Sequence, residues 1–230
     1  MNQCPQGRIT LVFTDVEGST ELWDQIPEVM RGALRLHDQI LRQRIEAFEG
    51  YEVKTEGDAF MVAFRTAQQA LDWCLRCQEA LLHAPWPEAL LNHSKAAAQS
   101  LASGSLVGRG LRVRMGLHTG EPERREDPTT GRSDYFGGMV NRAARVAGAA
   151  HGGQILASAA AYADCATEHL VTHNFGPQVL RGLSAPETLI QILPAALAER
   201  EFPPLRVHHQ TRHNLPSGLP PLLGRDAALE

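Results

Sequence analysis

Apolar positions change their period several times along this chain, and each change marks a predicted element. Residues 8–14 read RITLVFT, a run rich in β-branched and aromatic side chains that suits a buried strand. The run ends at Asp15, where EGST supplies turn and helix-start residues, so a carboxylate stands at the end of a strand. Over residues 27–48, Met30, Leu34, Ile40, Leu41, Ile45 and Phe48 recur near helical spacing with charges between them, which predicts an amphipathic helix. Residues 51–55 and 59–64 are short strand-like runs joined through Glu56, Gly57 and Asp58, a tight hairpin with a second acidic residue at its turn. Thr66 is a predicted N-cap for a helix to about Leu82, and residues 85–110, rich in Ala, Ser and Gly, read as an insertion. Residues 111–117 alternate as a strand, and a polar stretch rich in Pro, Thr and Gly separates them from a predicted helix over 139–149. Residues 154–157, 169–172, 178–180 and 188–193 are further strand candidates. The order strand, helix, hairpin, helix, strand, helix, strand implies an α/β domain with helices packed on a mixed sheet.

Composition narrows the function classes. The 230 residues are 43% hydrophobic and 21% charged, which suits one large domain, or one domain plus a tail. With 22 basic against 26 acidic side chains the net charge is −4, so no overall field attracts nucleic acid or an anionic membrane. No apolar stretch approaches the ~18 residues of a membrane span, and the first ten residues lack a hydrophobic signal core, so a cytoplasmic location is expected. Cys74 and Cys77 stand three apart in a helical pattern with no second ligand pair beside them, which reads as reduced structural thiols. After Pro194 the composition turns Ala-rich and then Pro-rich, predicting a linker or disordered tail over 195–230; its His208, His209 and His213 read as solvated rather than ligating.

If their strands are neighbours in the sheet, Asp15 and Asp58 lie together and make a hard oxygen site suited to Mg²⁺ or Mn²⁺. Mg²⁺ takes one or two protein carboxylates and completes its shell with water and phosphate oxygens. Paired aspartates beside the backbone amides of EGST therefore suggest a nucleotide substrate. On spacing alone, Asp15 as an N-cap and Asp58 as a hairpin residue would be the blander account.

Four runs in order, FTDVEGSTELW, KTEGDAFMVAF, RVRMGLHTGEP and DYFGGMVNRAARV, resemble the successive signatures of class III adenylyl/guanylyl cyclase catalytic domains. The resemblance extends over residues 8–193 and is nearest to the fungal adenylyl cyclases. It implies a ferredoxin-like βαββαβ palm core, with helices on a mixed, mostly antiparallel sheet, in a catalytic domain over 1–194. The family's metal-binding aspartates fall on Asp15 and Asp58, and its substrate-selecting pair falls on Lys54 and Asp134. A lysine that donates to purine N1 and an aspartate that accepts from an exocyclic amine match adenine, which implies ATP over GTP. Asn141 and Arg145, four apart on one helical face, are implied to orient the ribose and to neutralise phosphate charge in the transition state. Arg142 falls off that face and is expected to be solvated. The turn over 16–20 resembles the family's phosphate cradle, with Gly18, Ser19 and Thr20 donating to phosphate and Val16 offering a carbonyl to metal. Arg181 matches a basic position that reaches the terminal phosphates.

The implied reaction is attack of the ribose 3′-oxygen on the α-phosphorus of ATP, closing 3′,5′-cyclic AMP and releasing pyrophosphate, with two divalent ions per site. His118 in GLHTGE is expected to be structural rather than a general base. The resemblance also implies a homodimer with composite sites, the aspartates of one subunit facing Lys54, Asp134, Asn141 and Arg145 of the other. HNLPSGLPPLLGRDAAL resembles the entry into a signal-transducing ATPase domain. The competing readings are a catalytically silent nucleotide-binding or dimerisation module and a guanylate cyclase.

Overall fold

A computed structural model describes residues 3–126, 128 and 133–207. Strand β1 (Ile9–Val16) leads through a turn into α1 (Ser19–Gln25) and the long α2 (Pro27–Ala47). The hairpin of β2 (Tyr51–Glu56) and β3 (Ala59–Phe64) follows, then α3 (Ala67–His83), whose N-cap Thr66 accepts from Gln69 N–H at 3.2 Å as expected. The insertion holds α4 (Glu88–Leu91) and a small ribbon of β4 (Gln99–Ser100) and β5 (Leu106–Gly108). Next come β6 (Val113–Gly120), the ribbon β7 (Glu123–Glu126) and β8 (Ser133–Phe136), and α5 (Gly138–Ala149). The last elements are β9 (Ile155–Ser158), α6 (Ala159–Tyr162), β10 (Leu170–Gln178) and β11 (Glu187–Pro194).

The main sheet runs β10-β11-β9-β6-β1-β3-β2. Its β6-β1-β3-β2 half is antiparallel throughout and is the expected βαββαβ core; β6 pairs with β9 in parallel, and β11 and β10 continue antiparallel. Alternation along the strands divides the core. Val12, Phe60, Val62, Phe64, Met115 and Leu117 face α2 and α3, whereas Ile9, Leu11, Met61 and Ala63 face α5. Gly116 lets α5 settle directly on β6: a Cβ there would meet Ala147 N at 2.2 Å. All four cysteines are free, with Cys74 and Cys77 buried inside α3.

Three expectations are corrected. The polar stretch before α5 holds the β7–β8 ribbon. The separate strands expected at 169–172 and 178–180 are one strand, β10, irregular between Asn174 and Pro177. The described part of the expected tail, 195–207, also stays on the domain: Leu205 is buried, Arg206 N–H donates to Ala149 O at 3.0 Å, and Arg200 donates to Gly153 O at 3.1 Å. The histidines of the tail and the ATPase-like run lie outside the described residues.

Candidate active site

Pairing of β1 with β3 sets Thr14 opposite Phe60, so the end of β1 runs alongside the β2–β3 turn that carries Asp58. There the Asp58 carboxylate accepts the Val16 N–H at 3.2 Å, and Asp15 stands next to it on the α5 side of the sheet. Burial raises the Asp15 carboxyl above its ordinary value; the Arg114 charge opposes that rise and the neighbouring Asp58 carboxylate adds to it. Arg114, opposite Asp15 in the β1–β6 register, forms an ion pair with it. Two adjacent carboxylates balanced by a cation are a donor set that fits a divalent ion completed by water and phosphate oxygens. Among the described residues no group of three or more His, Cys, Asp or Glu side chains gathers as a metal centre.

Beyond Asp15 the Glu17 N–H is taken by Arg112 O at 2.9 Å, whereas the N–H groups of Gly18, Ser19 and Thr20 have no main-chain acceptor among the described residues. Gly18 takes the left-handed conformation, φ 73°, and the first helical bond of α1 is Leu22 N–H to Gly18 O at 3.2 Å, so the N–H groups of Ser19 and Thr20 precede it. Glu17 turns away to accept from Gly152 N–H at 3.0 Å and to pair with Arg206. Lys95, from the insertion, lies across Gly18, where an added Cβ would meet its Cδ at 3.5 Å, and reaches Glu21 at 3.2 Å. It is a cation at the turn that no local motif announces.

Lys54 on β2 and Asp134 on β8 are brought together, Nζ to Oδ2 at 3.0 Å, both part-exposed. Tyr135 anchors that ribbon: its ring is buried and its hydroxyl donates to Pro5 O at 2.6 Å. Asn141 and Arg145 share the exposed face of α5, and Arg145 reaches toward the turn that holds Arg181, since a Cβ on Gly182 would stand 4.0 Å from its guanidinium. Among the described residues no hydrogen bond or ion pair links either aspartate to Lys54, Asn141 or Arg145. Arg142 corrects its expectation. It is not free in solvent but bound to the buried Glu187 of β11, tying α5 to the sheet. His118 is buried with Nδ1 2.7 Å from Ser158 Oγ, and burial, then Arg142 and Arg8, lowers it to about 4, which suits a structural imidazole.

The model of the adenylate and guanylate cyclase catalytic domain matches residues 1–192, nearly the whole described domain. The chain belongs to that family. Relatives of this cyclase domain include an adenylate cyclase of Neurospora crassa, 49% identical over 67% of this chain, and one of Mycosarcoma maydis, 52% identical over 67%. The chain spans only 7% and 6% of those two proteins. A solved adenylate cyclase structure from Trypanosoma brucei, described as monomeric, superposes with a TM-score of 0.79 at 33% identity, covering 88% of this chain and 95% of that one. Among the described residues of the cyclase domain, no helix is long and apolar enough to cross a membrane.

Proposed function

We propose that this domain is an adenylate cyclase that converts ATP to 3′,5′-cyclic AMP and pyrophosphate at sites shared between two copies of the chain. One observation carries the reading: β1–β3 pairing sets Asp15 and Asp58 side by side, next to the unbonded Gly18, Ser19 and Thr20 amides, while the Asn141 and Arg145 side chains stand exposed on α5 with no hydrogen bond or ion pair among the described residues. Complementary halves exposed on one chain are what a two-fold assembly joins into two equivalent sites.

Asp15 and Asp58, with the Val16 carbonyl, would hold the divalent ions, Mg²⁺ or Mn²⁺. When bound, these supply a lowered 3′-hydroxyl pKa and charge neutralisation on the triphosphate. Amides of Gly18, Ser19 and Thr20 hold phosphate oxygens, with Lys95 and Arg181 placed for the terminal phosphates. Lys54 donates to adenine N1 and Asp134 accepts from its amine, while Asn141 orients the ribose. As the 3′-oxygen bonds to the α-phosphorus, its proton passes to solvent, the bond from the α-phosphorus to the α–β bridging oxygen breaks and pyrophosphate leaves; Arg145 stabilises the charge gathered on the equatorial oxygens. His118, bonded to Ser158, takes no proton in this step.

The test is cyclic nucleotide formation by the purified chain with Mn²⁺, using ATP and GTP in parallel and Asp58→Ala as control. The expected result is cyclic AMP that disappears in the variant. Preference for GTP would make the domain a guanylate cyclase, and stabilisation by ATP without pyrophosphate release would make it a silent nucleotide-binding module.

A further inference from the structure

On the α3 side of the sheet, opposite the α5 face, lies a cavity of about 740 Å³ that none of the proposed active-site residues lines. Its volume falls in the range of about 300–1,000 Å³ typical of small-molecule sites. Leu75, Leu82 and Leu197 contribute to its apolar wall, and Arg109, Arg112 and Arg200 to its polar one. These three arginines share a feature unusual for guanidiniums withdrawn from water: none has a carboxylate within ion-pair distance among the described residues. Their hydrogen bonds go to neutral main-chain carbonyls instead, Arg109 to Ala84 O at 2.6 Å, Arg112 to Ala97 O at 2.8 Å and Arg200 to Gly153 O at 3.1 Å.

Arg112 and Arg200 flank the same Gly152–Gly153 turn. A Cβ at Gly152 would touch the Arg112 side chain at 2.6 Å, and one at Gly153 would touch the Arg200 guanidinium at 2.2 Å. Arg112 Nε is buried without an acceptor among the described residues. Burial lowers both guanidiniums, and for Arg200 the neighbouring Arg112 charge adds to it, taking it to about 10. Asp72 and Glu79 also border the cavity, but Glu79 is held by Arg76 at 2.8 Å and Asp72 by Gln68 at 2.9 Å. Two like charges are thus held together, partly desolvated, next to apolar wall.

The geometry points to a binding site for an organic carboxylate with an aliphatic body, its head group on Arg112 and Arg200 and its chain along the leucines. A carboxylate supplies the missing counter-charge with a geometry that guanidinium forks match, and the chain displaces water from apolar surface. The site also touches the phosphate turn through main chain, since Arg112 O accepts Glu17 N–H at 2.9 Å.

Titration calorimetry of the purified chain with octanoate, 1-octanol and inorganic phosphate tests this without reference to catalysis. The expected result is saturable octanoate binding at one per chain, at least tenfold tighter than 1-octanol or phosphate, and weakened at least tenfold by Arg200→Gln. Leu197→Trp, which pushes a bulkier ring into the apolar wall and keeps every charge, should weaken it at least tenfold, and this arm decides if Arg200→Gln fails to fold by circular dichroism. Absence of saturable octanoate binding, equal affinity for 1-octanol or phosphate, or undiminished binding by folded Arg200→Gln or by Leu197→Trp would overturn the assignment.

Discussion

Gly116 is where the sheet fixes the height of α5, so Gly116→Ala perturbs the proposed site without touching a residue in it. The new Cβ would stand 2.2 Å from Ala147 N, 2.3 Å from Ala147 Cα and 2.7 Å from the Val146 carbonyl carbon. Ordinary contacts between such atoms are about 3.5 Å, so helix and strand must separate by roughly 1 Å. The obstacle is helix main chain, and no rotamer change relieves it. The expected cost is at the upper end of overpacking, about 3 kcal/mol. Asn141 and Arg145 ride on the displaced helix, and a shift of about 1 Å at catalytic groups costs on the order of 100-fold in kcat. Gly148→Ala is the matched control: it lies in the same helix with nothing within 4 Å of its added Cβ. It should gain up to about 1 kcal/mol and leave turnover unchanged. Urea unfolding followed by circular dichroism gives the stability difference, and cyclic AMP formation at saturating ATP gives kcat. A Gly116→Ala protein with the parent's unfolding midpoint and turnover would refute the reasoning that this contact positions α5.

Three further outcomes follow from the same structure. Lys54→Ala should leave stability within about 1 kcal/mol, because the Lys54–Asp134 pair is part-exposed, yet narrow the preference for ATP over GTP tenfold or more, read from kcat/KM for each nucleotide. Lys95→Ala should raise KM for ATP several-fold with little change in kcat, since Lys95 lies over Gly18 in the turn proposed to hold the phosphates; an unchanged KM would remove it from the site. His118 is held near 4 in the folded chain against about 6.5 unfolded, so between those values the unfolded state takes up a proton that the folded state refuses. Stability should therefore fall as pH drops from about 6.5 to about 4, and His118→Gln should remove up to about 3 kcal/mol of that dependence in urea titrations; an unaltered pH slope would argue against it.

The palm core was legible because its strands and helices carry clean periods: β1, the β2–β3 hairpin, α2, α3 and α5 lie where their patterns predict them. The β7–β8 ribbon was not. Glu123–Glu126 is exposed along its whole length, so no apolar alternation marks a ribbon held by main-chain bonds, although Asp134 depends on it. In β10, the run Asn174-Phe175-Gly176-Pro177 carries turn residues, and Gly176 takes φ 69°, but here they form an irregularity within one strand. Non-local partners were equally hidden. Arg114 meets Asp15 across the β1–β6 register, Lys95 reaches the Gly18 turn from the insertion, and Glu187 captures Arg142 from β11; nothing near any of them in sequence announces the contact. The Asp15–Asp58 juxtaposition was foreseeable because it needed only the β1–β3 pairing of a βαβ-hairpin core.

The most direct test of shared adenylate cyclase sites is to mix Asp58→Ala with Arg145→Ala and measure cyclic AMP formed from ATP with Mn²⁺. Each variant alone should be inactive. In a mixed dimer one site combines both lesions and the other has neither, so random pairing at equal amounts should restore about one quarter of the parent activity. A mixture that forms no more cyclic AMP than the two variants assayed separately, under conditions where the chains exchange partners, would contradict the account.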